Sequence, residues 1–352
     1  MIPDCAALQR RARKLLPRDV YDYYAGGSGR ERTRRANEKA WQQVWLAPRV
    51  LRDVSAIDTT ARLLGTEVAT PLGVAPTGYH GLAHPDGEVA TAAGAARAGA
   101  LFVLSIRSTR RIEDVADAVA AEGGTWWFQV YLMRDRELTA SLVRRAAAAG
   151  AAALVLTADT PVVGRKRRNS KDGVVSDEAF VTNLGPLEDL GVAEQAADLT
   201  LADIGWLREA GGGLPVVVKG VLTPEDARRA VDSGAAGIVV SNHGGRQLDT
   251  VLSGADALPA VVEEAGDELD VLVDGGIRRG TDVLKALALG ARAVLIGRPV
   301  LWGLAVGGEQ GVARVLELLL AEIDTALMLA GAPRAAELDR SWVQRAPWTA
   351  IE

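Results

Sequence analysis

The sequence predicts an α/β protein, a (β/α)8 TIM barrel with an N-terminal helical extension and a long lid loop after the fourth barrel strand. Three observations predict it. Eight short β-branched runs recur from residue 72 onward, each leading into an Ala-rich stretch with helical spacing. Several runs are apolar on consecutive positions, as parallel strands buried on both faces are. All of them end in polar residues, at the edge where barrels of this kind build their sites. A doubly wound open sheet shares the alternation but has no need to close.

Taken in order, residues 1–70 read as helices plus a short hairpin packed on the barrel, and residues 71–335 as the barrel itself. The chain, 1–352, is expected to be a single domain. The strands are LGVAP from Leu72, LFVLS from Leu101, WWFQVY from Trp126, ALVLT from Ala153, PVVVKG from Pro215, GIVVSN from Gly237, VLVDG from Val271 and AVLIG from Ala293. Helix starts are marked by Pro85 and Asp86, by Thr223 with Pro224 in the first turn, and near Thr281; Gly234 and Gly290 mark two stops. Between Thr157 and Pro215 one connection runs far beyond the usual βα length. Its 158–200 portion, which includes RKRRNSKDG, is expected to be an active-site lid.

Composition narrows the function classes. A net charge of −5 argues against a general nucleic-acid binder. The single cysteine, Cys5, excludes an internal disulfide and the common zinc clusters, so no metal site is expected. The N-terminus meets charge early and shows no signal peptide, and every apolar stretch falls short of the ~20 residues a membrane span needs. The expected compartment is the cytoplasm, with no membrane partner.

The strand ends carry Thr77; Ser105; Gln129 and Tyr131; Thr157 and Asp159; Lys219; Ser241, His243 and Arg246; Asp274 and Arg278; and Gly297 and Arg298. A buried apolar strand gains nothing by ending in Lys, Asp or Gln unless something polar binds there. Gly275, Gly276 and Gly297 fall where backbone approaches a ligand closely, and exposed N–H groups beside Arg278 and Arg298 would cradle a phosphate. In SNHGGRQLD, His243 suits a proton acceptor and Arg246 can grip a carboxylate with two hydrogen bonds. Asp159 is placed to stabilise an imidazolium at His243. His80 and His84 are weaker candidates.

With YDYYAGGSG, APTG, FQVY, LTADTP, VVVKG, SNHGGRQLD, DGGIRRGTDVLKALALGA and IGRP, the chain resembles the FMN-dependent 2-hydroxy acid oxidases and dehydrogenases, from about residue 6 to about residue 335. That family includes glycolate oxidase, lactate oxidase and mandelate dehydrogenase. The resemblance implies FMN as cofactor and oxidation of an L-2-hydroxy acid to the 2-oxo acid, with O2 or another carrier as electron acceptor. It implies that His243 is the base and Asp159 its support. Tyr23 and Arg246 would hold the substrate carboxylate, and Tyr131 would bond at the reacting hydroxyl. Lys219 would stabilise negative charge at the flavin N1–O2 edge. Thr77, Ser105, Gln129, Thr157 and Ser241 would bond the isoalloxazine and ribityl groups, and Asp274, Arg278, Gly297 and Arg298 the ribityl chain and phosphate. A homotetramer or homo-octamer is the assembly it implies.

Two positions depart from the family pattern. Lys166 stands where an Arg is usual, keeping charge but losing the bidentate fork; Arg165, Arg167 or Arg168 would be its substitutes. Arg107 stands where glycolate oxidase has a Trp, and either admits a polar or anionic substrate or turns to solvent. Gly78 leaves room that an Ala would fill, compatible with a bulky substituent. Rival readings are an inosine-monophosphate dehydrogenase, argued against by the absence of a barrel Cys, and FMN-dependent oxidation of an amine or peptide-derived substrate. A non-catalytic flavin scaffold is a third, argued against by the retained His243, Arg246, Tyr23, Tyr131 and Lys219.

Overall fold

A computed structural model describes residues 4–166, 168, 182–184 and 190–345. The chain opens with α1 (Cys5–Leu15), α2 (Arg18–Ala25) and α3 (Arg32–Gln42), then the short strands β1 (Val44–Leu46), β2 (Ala61–Leu63) and β3 (Thr66–Val68). The alternating part runs β4 (Leu72–Val74), α4 (Gly87–Arg97), β5 (Leu101–Ser105), α5 (Ile112–Ala121), β6 (Trp126–Val130), α6 (Arg136–Ala148) and β7 (Leu154–Thr157). It continues with α7 (Ala202–Ala210), β8 (Val216–Val221), α8 (Pro224–Asp232), β9 (Gly237–Val240), α9 (Gly254–Ala265), β10 (Asp270–Asp274), α10 (Gly280–Ala288) and β11 (Ala293–Ile296). A long helical segment, α11 (Arg298–Ala330), and β12 (Val343–Arg345) complete it.

Strands β4 to β11 close into one parallel barrel, with β11 pairing back onto β4 through Val294–Leu72, Leu295–Gly73 and Ile296–Val74. All eight strands lie where the β-branched runs place them, because each run is bounded by Gly, Pro or polar residues that end a strand. The helix punctuation also acts as read: the Thr223 side chain accepts from the Asp226 N–H at the start of α8, with Pro224 in the first turn.

Strand alternation separates two buried sets. Phe102, Phe128, Leu154, Val218, Ile238, Val273 and Ile296 point outward into the core shared with the helices. Leu101, Val103, Trp127, Val155, Val217, Val239, Leu272 and Leu295 form the barrel interior, joined by Leu63 and Val68 of the β2–β3 hairpin. The hairpin therefore plugs the end of the barrel where the strands begin, and the Leu64 N–H donates to the Asp270 carboxylate there (2.6 Å). Near the far termini, β1 pairs antiparallel with β12, Val44 opposite Arg345.

The 158–200 segment expected as a lid is only partly within the described residues; residues 167, 169–181 and 185–189 lie outside them. Its end is not loop, since Leu190–Ala193 forms a 3-10 turn, and the regular helix α7 follows before β8. No helix among the described residues is long and apolar enough to cross a membrane.

Candidate active site

Carrying the strand alternation one step past the apolar interior generates the site. Two residues beyond Ala75, Val103, Trp127, Val155, Val217, Val239, Leu272 and Leu295 come Thr77, Ser105, Gln129, Thr157, Lys219, Ser241, Asp274 and Gly297. Ser105, Gln129, Thr157, Lys219, Ser241 and Asp274 of this layer are buried and bonded to one another, as buried polar groups must be, while Thr77 and Gly297 are half-buried. Ser105 Oγ donates to Gln129 Oε1 (2.9 Å), and Gln129 Nε2 to Thr157 Oγ1 (3.0 Å). Lys219 Nζ donates to Ser241 Oγ (2.9 Å) and lies 3.3 Å from Asp274 Oδ2, so the buried ammonium has a counter-charge. Thr77 bonds His80 Nε2 (2.5 Å), whose Nδ1 bonds Thr91 (2.8 Å); His80 is a buried support for Thr77. His84 stays outside the site, pairing locally with Asp86.

A further two residues on, Arg107, Tyr131, Asp159 and His243 form the next layer. His243 Nδ1 lies 3.0 Å from Asp159 Oδ1, and Nε2 lies 3.3 Å from the Tyr131 hydroxyl, with the two rings near-parallel at 13°. The Asp159 bond places the ring proton on Nδ1 and leaves Nε2 as acceptor. Burial pushes the His243 pKa below 6.5, against the raising effect of Asp159. Burial alone would raise Asp159, but the His243 charge and hydrogen bond, with Lys219, hold its carboxyl down to about 2. The imidazole is therefore neutral, and ready to accept a proton, at and above its ordinary pKa.

Local backbone explains how these groups meet. His243 sits at φ 59, the left-handed region, and its N–H donates to Ser241 Oγ (3.0 Å). Gly220, at φ 111, follows Lys219 at the β8 irregularity; a Cβ there would stand 2.6 Å from the Asp159 Cβ. Only glycine lets the Asp159 loop lie against β8. Sequence reasoning passed over Thr160 and Gln247, although both sit inside the quoted motifs. Thr160 Oγ1 donates to Asp159 (2.9 Å), approaches His243 Nδ1 (3.3 Å), and accepts from Gln247 Nε2 (2.7 Å).

Arg246 Nη1 donates to the carbonyls of Tyr23 (2.6 Å) and Gly26 (3.3 Å), and its guanidinium lies 5.0 Å from the Tyr23 ring centre. Lys166 lines the same cavity; burial, then the Arg246 charge, lowers its pKa to about 8. Of the proposed substitutes, Arg168 pairs with Glu31 (2.7 Å) and Arg165 is exposed. Arg167 lies outside the described residues. Arg107 lines the cavity, with Nη2 donating to the Ala193 carbonyl (3.1 Å). The room read beside Gly78 is narrower than expected, since a Cβ there would meet Arg107 Cβ at 3.1 Å.

One cavity of about 340 Å³ joins this layer to the ends of β10 and β11, where Asp274, Arg278, Gly297 and Arg298 line it. Arg298 donates to the carbonyls of Tyr24, Gly26 and Gly244, at 2.8–3.1 Å. Burial, joined by Arg246, Arg278 and Arg34, disfavours its charge, so an anion placed there would relieve it. Asp274 Oδ1 is buried without a hydrogen-bond partner, a place for a hydroxyl donor such as a ribityl group supplies. A Cβ at Gly297 would meet only ordinary contacts, the nearest at 3.5 Å, so it is the cavity side that this glycine leaves open. These features fit FMN. Gly275 and Gly276 both line the cavity, and α3 crowds their Cβ positions from another side, with Asn37 O only 2.2 Å from a Cβ on Gly276.

A family model described as FMN-dependent dehydrogenase matches residues 12–345. A peroxisomal (S)-2-hydroxy-acid oxidase of Oryza sativa subsp. japonica is 46% identical over 347 residues, covering 95% of this chain and 94% of the relative. An L-lactate oxidase of a Nostoc species is 43% identical, covering 95% and 96%. Among solved structures, a mandelate oxidase variant with (S)-mandelic acid superposes with a TM-score of 0.89 at 42% identity, covering 98% of each chain. A soluble mutant of the membrane-associated (S)-mandelate dehydrogenase from Pseudomonas putida gives 0.92 at 37% identity, covering 98% and 100%. The chain belongs to the FMN-dependent dehydrogenase family.

Proposed function

We propose that the protein oxidises an L-2-hydroxy acid to the 2-oxo acid, passing the electrons to O2 or another carrier. The observation that carries this reading is the Asp159–His243–Tyr131 line, bonded at 3.0 and 3.3 Å, whose His243 and Tyr131 share one cavity with Arg246. FMN, when bound, accepts the two electrons that leave the substrate's α-carbon.

Arg246 and Tyr23 hold the substrate carboxylate, with Lys166 adding charge. Tyr131 bonds the hydroxyl on the carbon being oxidised. His243 Nε2 takes a proton from that substrate, and ionised Asp159 steadies the imidazolium that forms. Thr160 and Gln247 fix Asp159 and the ring. Thr77, Ser105 and Lys219 face the cofactor, with Gln129, Thr157 and Ser241 orienting them from behind. Asp274, Arg278, Gly297 and Arg298 take the ribityl chain and phosphate. The chain acts as a single domain, assembled as a homotetramer or homo-octamer and located in the cytoplasm, although its rice relative is named peroxisomal.

The test is His243→Ala. The variant keeps its yellow cofactor, because the phosphate end is untouched, and its anaerobic flavin reduction slows by about 10²–10⁴-fold. Reduction at the wild-type rate would overturn the role of His243.

A further inference from the structure

Lys166 reaches the cavity from a segment that is tied down on both sides of it. Before it, the Gly164 N–H donates to Gln247 Oε1 (2.8 Å), and the Gly29 N–H donates to the Arg165 carbonyl (3.1 Å). Lys166 itself forms an antiparallel bridge with Ser28, whose N–H donates to the Gly245 carbonyl (2.8 Å). Ser28 therefore backs both the Lys166 segment and the loop that carries His243 and Arg246. The approach is close: a Cβ on Gly164 would stand 2.7 Å from the Arg246 carbonyl oxygen and from Ser28 Oγ.

After it stands Arg168. Its Nε and Nη2 meet the two oxygens of the Glu31 carboxylate at 2.7 and 2.8 Å, a two-pronged contact. An ordinary surface ion pair holds little, but the Glu31 side chain is only 7% exposed. Its carboxylate also accepts from the Gly27 N–H (3.1 Å) and from Arg34 Nε (3.1 Å), and Asp22 lies 3.7 Å from Arg168 Nη1. Ser28 and Glu31 belong to one turn, so the bridge and the fork fix one segment to one support at two points. Such fixing has a use, because Arg246 is the charged group that bears on Lys166, and like charges push apart.

We propose that Arg168 is a positioning residue for substrate binding: its fork on Glu31 holds the backbone that keeps Lys166 at the substrate end of the cavity, beside Arg246. This rests on the reading of Lys166 as a cation for the substrate carboxylate and deepens it. Loss of Arg168 leaves Glu31 with Gly27 and Arg34 as partners, so no buried carboxylate is orphaned and the fold is kept.

The experiment follows anaerobic flavin reduction against concentration for a panel of L-2-hydroxy acids that includes (S)-lactate and (S)-mandelate. It compares the wild type with Arg168→Met, Arg168→Lys, Lys166→Met and the Arg168→Met/Lys166→Met double variant. Arg168→Met raises the half-saturating concentration about 3–30-fold and leaves the limiting rate within about 2-fold, since His243 and Tyr131 are untouched. Arg168→Lys keeps the charge without the fork and falls between that variant and the wild type. The double variant binds no more weakly than Lys166→Met, because Arg168 acts through Lys166. The alkaline limb of kcat/KM moves to higher pH in Arg168→Met. Burial and Arg246 hold Lys166 down to about 8, and a side chain let out into water regains its ordinary, higher value. FMN affinity stays at the wild-type value in the Arg168 variants.

An unaltered half-saturating concentration in Arg168→Met would overturn the positioning role. So would effects that multiply in the double variant, or loss of FMN from Arg168→Met, which are what a general structural role produces. An unaltered half-saturating concentration in Lys166→Met overturns the binding role of Lys166 and this proposal with it. Wild-type flavin that no acid of the panel reduces overturns the 2-hydroxy acid reading instead.

Discussion

His243 is held in a left-handed backbone conformation that costs a side-chain-bearing residue about 1–3 kcal/mol, and the surrounding bonds to Ser241, Asp159 and Tyr131 hold it there. Its depressed pKa and the lowered pKa of Lys166 set opposite pH limits. His243 is a base only when neutral, so activity falls as pH drops through a value below 6.5. Lys166 attracts an anion only when protonated, so kcat/KM falls again as pH rises through about 8. The expected kcat/KM profile is bell-shaped, and Lys166→Arg removes the alkaline limb, because a guanidinium does not titrate there. An alkaline limb that persists in that variant would remove Lys166 from the binding end. The sequence exposes His243, Asp159 and Arg246 because polar residues at strand ends have no structural reason of their own. Thr160 and Gln247 act one bond further back, where residue type alone carries no signal.

At the scale of elements, α3 does more than cover the barrel. Asn37 and Asn242 exchange amide hydrogen bonds at 2.7 and 2.8 Å, and Trp41 Nε1 donates to the Gly275 carbonyl at 2.9 Å. The helix thus clamps the loops after β9 and β10, which carry His243 and Arg278. Gly276→Ala forces a Cβ to within 2.2 Å of Asn37 O at φ 85. Strain of about 1–3 kcal/mol is expected, lowering Tm and weakening FMN retention together. Thermal unfolding with and without added FMN checks it; an unchanged Tm would mean that α3 yields at no cost. The eight barrel strands were legible because each is a short apolar run with local punctuation. The β1–β12 pair was not, since pairing Val44 with Arg345 is a long-range event with no local signature. The glycines of the DGG turn were legible as close approaches, but sequence could not say that helix α3 sits against them.

The whole molecule is a set of layers stacked along one barrel axis. A hairpin plug and an apolar interior lie at one end; a buried polar layer and then the reacting groups follow at two-residue steps toward the other. Strand periodicity makes this readable from sequence: Val103, Ser105 and Arg107, or Val239, Ser241 and His243, are successive inward positions on one chain. What periodicity does not give is which cation serves cofactor and which serves substrate, because that depends on how the cavity is divided in space. The central claim, that this cavity oxidises L-2-hydroxy acids, is tested most directly by mixing the purified protein anaerobically with L- and D-2-hydroxy acids, amino acids and amines while following flavin absorbance. Bleaching by an L-2-hydroxy acid, and not by its D-isomer or by amines, is the predicted result. Flavin that stays oxidised with every hydroxy acid, or that only amines reduce, would contradict it.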